Sequence, residues 1–225
     1  MTTLNLCRFA SRAALDAALE DRLARAIAAD SPSAIMLSGG TTPLPAYRAL
    51  AERALPHHEG LRVLFSDDRY VPADSPASNY HQSRPLLDAL ALAPSAVMRV
   101  RTELPLEEAA SDYQRQLEAL LSSGARIGLG LLGLGADGHT ASLFGAADLQ
   151  SARGHLAIAV QRPDGMSGVS VTPQFLAHLA QPVFVVAGGG KSQAIERLIA
   201  QDSNLTAWRA VQGCAEVELW TCETD

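Results

Sequence analysis

The sequence predicts an α/β protein: a doubly wound, mostly parallel sheet with helices on both faces, Rossmann-like, in a single domain over residues 1–225. Three observations predict it. Apolar runs of strand length alternate with amphipathic segments of helix length, short turns join most of them, and several polar stretches rich in Gly, Ser and Asp directly follow an apolar run. A strand covered on both faces loses the in–out alternation of a half-exposed one and reads as continuously apolar, as in a parallel sheet sandwiched by helices.

Residues 4–9 read as a short edge strand. Over 13–28 the apolar residues Leu15, Leu19, Leu23 and Ile27 recur every fourth position, which lines them along one helix face. Asp30-Ser31-Pro32-Ser33 ends that helix. Residues 34–37 form a buried strand, and Ser38-Gly39-Gly40-Thr41-Thr42-Pro43 a glycine-rich turn into a helix over 44–54. The next strand, 61–65, ends at Ser66-Asp67-Asp68-Arg69, and a polar loop leads from there to a helical stretch through Leu90. A strand at 97–100 and a helix over 106–121 precede the central strand, 127–134. Asp137 then stands where a helix N-cap would, which places His139 in the first turn of a helix, where the dipole favours the neutral imidazole. Further strands are expected at 155–160, 168–172, 183–187 and 216–221, with helices at 175–179 and 192–200. No repeat, low-complexity tract or linker marks a domain boundary.

With 24 acidic against 18 basic residues the formal net charge is −6, which argues against nucleic acid or an anionic membrane as partner. A small-molecule partner fits better, and an anionic one would need a few placed basic groups. Cys7, Cys214 and Cys222 are scattered, with no Cys-x-x-Cys pair and no zinc spacing, so thiols in a reducing compartment are expected. With no cationic–apolar leader and no long apolar span, the expected location is the cytoplasm. The oligomeric state stays open between a monomer and a small homo-oligomer.

The chemistry concentrates where polar stretches follow strands: 38–42, 67–69, 137–139 and Gly188-Gly189-Gly190-Lys191. In a parallel sheet these turns share one rim, where ligands bind. Ser38, Gly39, Gly40 and Thr41 offer small side chains and bare N–H groups at a helix start, suited to a phosphate or an oxyanion, or simply to a tight turn. Asp67 can orient a water or a hydroxyl and Arg69 can hold a phosphate, unless the two form a structural ion pair. His139 is the candidate general base, and Lys191 a phosphate partner.

Rival motifs fail. Gly128-x-Gly130-x-x-Gly133 has the dinucleotide spacing but lies inside a strand, where close packing explains its glycines better. The Gly190-Lys191-Ser192 run lacks the first glycine of a nucleotide P-loop, since Val185 stands there, and neither Ser38 nor Ser142 sits in a Gly-x-Ser-x-Gly frame. The other histidines have no ligand-like spacing, and Trp208 and Trp220 read as core anchors.

At Ser38-Gly39-Gly40-Thr41-Thr42-Pro43, Asp67-Asp68-Arg69 with Ser78-Asn79-Tyr80 behind it, and Gly133-Leu134-Gly135-Ala136-Asp137-Gly138-His139-Thr140-Ala141-Ser142-Leu143-Phe144, the chain resembles the 6-phosphogluconolactonase family. The resemblance implies hydrolysis of 6-phospho-D-glucono-1,5-lactone in the pentose phosphate pathway. It puts His139 at the general base, Asp67 and Arg69 at the family's acid–x–Arg pair and Lys191 at its phosphate-binding lysine, and it implies no metal or organic cofactor. Three departures stand out. Asp68 replaces a usual Glu; Gly145-Ala146 replace a usual Pro-Gly, which would loosen the following turn; and Gly168 stands where an arginine is usual, leaving Arg153 or Arg162 to supply that charge. The rivals are a glucosamine-6-phosphate deaminase-like enzyme, which would need an acid soon after His139 where none comes before Asp148, and a non-catalytic sugar-phosphate-binding module.

Overall fold

The computed structural model describes residues 2–29 and 33–222. Its strands are β1 (Thr3–Arg8), β2 (Ser33–Leu37), β3 (Arg62–Phe65), β4 (Asp67–Arg69), β5 (Val97–Met98), β6 (Arg126–Leu132), β7 (Ala157–Gln161), β8 (Ser167–Val171), β9 (Pro182–Ala187) and β10 (Glu216–Cys222). Its α-helices are α1 (Arg12–Ile27), α2 (Leu44–Ala51), α3 (Asn79–Leu90), α4 (Leu106–Ser122), α5 (Ala146–Ser151), α6 (Pro173–Leu176), α7 (Ser192–Ile199) and α8 (Thr206–Val211).

Seven strands form one parallel sheet in the order β1-β10-β9-β6-β2-β3-β5. From β2 the chain winds outward through β3 to β5; from β6, paired directly with β2, it winds the other way through β9 to β10. The winding therefore reverses between β2 and β6, and a crevice opens at the carboxyl ends of such a pair. β1 is an edge strand, as its sequence predicts.

Successive strand residues feed two separate cores. Ala34 and Met36 belong to one with Phe184 and Val186, while Ile35 and Leu37 belong to the other with Val183 and Val185. This two-residue alternation, buried on both sides, is why the strands read as unbroken apolar runs. One face carries α1, α2 and α3, with Leu15, Leu19, Leu23 and Ile27 of α1 fully buried. The other carries α4 to α8 together with a small second sheet.

That second sheet departs from expectation. β4, β8 and β7 pair antiparallel, in that order, so residues 67–69 are a strand and not merely a strand end. No helix starts at Asp137; the first one after β6 is α5, so His139 lies in a loop. Gly138 (φ 88°) and Ala141 (φ 48°) are both left-handed, which no α-helix can propagate, and the Asp137 carboxylate accepts from His139 instead of capping a helix. The helix expected at 44–54 ends at Ala51, and α8 has no counterpart in the sequence reading. The expected helix stop at 30–33 lies, apart from Ser33, outside the described residues.

Candidate active site

A cleft of about 290 Å³ lies on the carboxyl rim, lined by Ser38, Gly39 and Gly40 after β2, by Ser66, Asp67 and Arg69, and by Gly133, Leu134 and Gly135 after β6. Asn79, His139, Ala141, Arg162 and Lys191 complete it. Segments far apart in sequence thus meet where the sheet's parallel order predicts. Thr41 is not among the lining residues; it is exposed, and its carbonyl accepts from Arg12 Nη2 at 3.4 Å.

The loop carrying His139 is tied down by its own backbone. Gly135 N–H donates to His139 O at 2.9 Å, Gly138 N–H to Gly135 O at 3.0 Å, and Thr140 Oγ1 to Gly133 O at 2.8 Å. Asp137 Oδ1 then accepts from His139 N–H at 3.1 Å and lies 2.6 Å from His139 Nδ1. With the carboxylate on Nδ1, that nitrogen carries the proton and Nε2 presents a lone pair. Burial alone would raise the Asp137 carboxyl, but these hydrogen bonds and the imidazole outweigh it and hold it below its ordinary value, so Asp137 stays an acceptor. The imidazole also lies against the Phe144 ring, 4.6 Å between centroids.

Gly135 is required by this geometry. A Cβ there would sit 2.1 Å from His139 Nδ1 and 2.4 Å from Asp137 Oδ1, inside any real contact distance. Ala141, on the cleft wall, holds a left-handed φ of 48°, which costs about 1 kcal/mol or more and is tolerated because the tied loop dictates it.

Asp67 and Arg69 do not pair with each other. The Asp67 carboxylate accepts from Ser66 Oγ (2.9 Å), Ser142 Oγ (2.6 Å) and, more distantly, Asn79 Nδ2 (3.3 Å). Arg69 Nη1 donates to Ala77 O at 3.0 Å and Asn79 Oδ1 at 2.6 Å, while its buried Nε has no partner among the described residues. Both Nη1 protons are spent inward, so among the described residues the donors left uncommitted for an anion in the cleft are those of Nη2. Lys191 follows β9 in a short 3-10 turn and is half-buried, and desolvation lowers its pKa. Among the described residues its ammonium has no hydrogen-bond or ion-pair partner.

Two residues beside Asp67 lie inside the quoted motifs, but their role is not legible in the sequence. Ser142 is fully buried between Asp67 and Arg162, which donates to its Oγ at 2.9 Å, and Asn79 holds Asp67 and Arg69 at once. Of the two arginines left to replace the charge missing at Gly168, Arg162 lines the cleft and Arg153 does not. The substitution Gly145-Ala146 does not loosen its turn, because Asp148 Oδ2 accepts from both Phe144 and Gly145 N–H, at 2.8 and 3.0 Å. The close-packing reading of the three glycines holds at Gly130, where a Cβ would meet Leu179 at 2.5 Å, but not at Gly128 or Gly133, where a Cβ would meet nothing within 4 Å, and Gly133 lies beyond the end of β6.

The 6-phosphogluconolactonase of Thermotoga maritima is 33% identical over 77% of this chain and 77% of its own length. That of a Synechocystis strain is 35% identical over 81% and 78%. The Thermotoga maritima crystal structure superposes with a TM-score of 0.82 at 26% identity, covering 99% of this chain and all of that one. A crystal structure of devB protein reaches 0.88 at 25% identity, covering 98% and 97%. A family model described as glucosamine-6-phosphate isomerases/6-phosphogluconolactonase matches residues 9–220, and the chain belongs to that family.

Proposed function

We propose that the chain, as one catalytic domain, hydrolyses 6-phospho-D-glucono-1,5-lactone to 6-phospho-D-gluconate in the cytoplasm. The observation that carries this reading is a single cleft lined by a carboxylate-oriented imidazole, by a guanidinium that keeps unspent donors and by an ammonium with no partner among the described residues. The first suits proton transfer from water; the other two suit a phosphate on the same small molecule.

His139 Nε2 takes a proton from water as its oxygen bonds to C1 of the lactone. The Gly39 and Gly40 N–H groups, which have no acceptor among the described residues, receive the developing oxyanion beside Ser38. The C1–ring oxygen bond then breaks, and the proton on Nε2 passes to the departing ring oxygen. Asp67 orients the water or a ring hydroxyl from the cleft wall. Arg69 and Lys191 hold the phosphate, so that binding energy remote from C1 fixes the ring for attack. The reaction as drawn uses no metal or organic cofactor.

The test compares acid release from freshly made phosphorylated and unphosphorylated lactone, with spontaneous hydrolysis subtracted. The phosphorylated substrate should be strongly preferred, and His139→Ala should lower kcat by about 10²–10⁴. Equal rates on the two lactones, or a kcat that survives His139→Ala, would reject the reading.

A further inference from the structure

Arg162 is the one cation of the cleft that follows no strand of the large sheet. It lies in the turn joining β7 to β8 of the small sheet and reaches back into the site, its side chain only 10% exposed. Its guanidinium stands over the Phe144 ring, Cζ 5.3 Å from the centroid, so it and His139 pack on the same aromatic side chain. Nε and Nη2 donate to Asp164 Oδ2 at 3.1 and 3.0 Å, and Nη1 donates to Ser142 Oγ at 2.9 Å. A guanidinium has five N–H donors, so among the described residues one on each terminal nitrogen is left without an acceptor.

What admits this side chain is position 168. A Cβ at Gly168 would stand 3.5 Å from Arg162 Cδ and 3.0 Å from Asp68 O, so anything longer would occupy the volume that the Arg162 stem fills. Asp164, 41% exposed and outside the cleft lining, aims the guanidinium and offsets only part of the cleft's positive charge. The lining thus presents Arg69, Lys191 and Arg162 against the single carboxylate of Asp67, which lies 3.9 Å from Arg162 Nη1. Such a surplus suits a dianion with three acceptor oxygens.

We propose that Arg162 grips the substrate's phosphate with these two free N–H groups, alongside Arg69 and Lys191, and that glycine at 168 makes room for it. The inference rests on the lactonase reading and adds a residue that sets selectivity for a phosphorylated substrate.

The experiment is steady-state hydrolysis of both lactones by wild type, Arg162→Gln and Arg162→Lys, with binding of 6-phosphogluconate and of gluconate measured on each folded variant. Loss of a charge-assisted contact predicts a fall of about 10–100-fold in kcat/KM for the phosphorylated lactone with Arg162→Gln, mostly through KM. Arg162→Lys keeps the charge but not the fork and should lose less; it is the variant to read if Arg162→Gln fails to fold. The unphosphorylated lactone should change by less than about threefold. Equal losses on the two lactones would mean that Arg162 acts only through Ser142 and Asp67, and unchanged kinetics would mean that it does not touch substrate; either overturns the proposal. Both outcomes differ from failure of the lactonase reading, in which wild type itself shows no preference for the phosphorylated lactone.

Discussion

Gly135→Ala isolates the geometry of the His139–Asp137 pair from its chemistry, because it adds one methyl group and removes no functional atom. The backbone at Gly135 is not left-handed, so alanine can adopt it without strain. Its N–H and C=O bonds to His139 and Gly138 remain available. The new Cβ, however, would lie 2.1 Å from His139 Nδ1, 2.3 Å from Cε1 and 2.4 Å from Asp137 Oδ1. Ordinary contact begins near 3.4 Å, so the imidazole, the carboxylate or both must retreat by about 1 Å, which breaks the 2.6 Å contact between them. A misplacement of that size costs about 10²-fold in rate. We expect kcat to fall by that order, KM for the phosphorylated lactone to stay close to wild type, and stability to change by no more than about 1 kcal/mol. Acid release at constant pH gives the kinetics, and urea unfolding gives the stability. A variant that folds normally and keeps kcat within about threefold of wild type would refute the requirement for an Asp137-oriented imidazole.

Asp68 is buried, and desolvation, only partly offset by its hydrogen bonds, lifts its pKa from 3.8 to about 6. A carboxyl with a raised folded-state pKa contributes stability that is present below its unfolded pKa and lost as pH rises through the folded one. The stability of wild type relative to Asp68→Asn should therefore fall between about pH 4 and 6.5, by on the order of 3 kcal/mol, in urea unfolding at a series of pH values; a pH-independent difference would contradict this. Leu19 is fully buried on the packed face of α1, so Leu19→Ala should lower unfolding stability by about 2–5 kcal/mol in the same assay while leaving kcat unchanged.

The fold was legible where periodicity is enforced by burial. Leu15, Leu19, Leu23 and Ile27 declare a helix face, and β2, β6 and β9 declare themselves by being apolar on both sides. The convergence at the rim followed from parallel order alone. What escaped depends on contacts made at a distance. β4 is three residues long and exists because β8 pairs with it, so nothing local in Asp67-Asp68-Arg69 announces a strand. The supposed helix at Asp137 shows the converse error. Its residues permit a helix, but left-handed Gly138 and Ala141 and the return bond of Thr140 to Gly133 close a loop instead. Ser142 and Asn79 stand inside motifs that the sequence shows, yet their bonds to Asp67 come only from the fold, and of the two arginines the sequence leaves open it is the turn between β7 and β8 that brings Arg162 to the cleft.

The acid–x–Arg spacing has its reason in β4. Alternate residues of a strand point to opposite faces, so Asp67 and Arg69 share the cleft side while Asp68 is turned away from it. Turned away, the Asp68 carboxylate accepts from Ser78 Oγ and from the N–H groups of Asn79 and Tyr80, at 3.0, 2.6 and 3.2 Å, and so anchors the first turn of α3. That anchoring fixes Asn79, whose amide returns to the cleft: Nδ2 donates to Asp67 O at 2.8 Å and Oδ1 accepts from Arg69 Nη1. The residue between the two cleft groups therefore positions both of them by way of a helix. An aspartate suffices there because α3 starts within reach of its side chain.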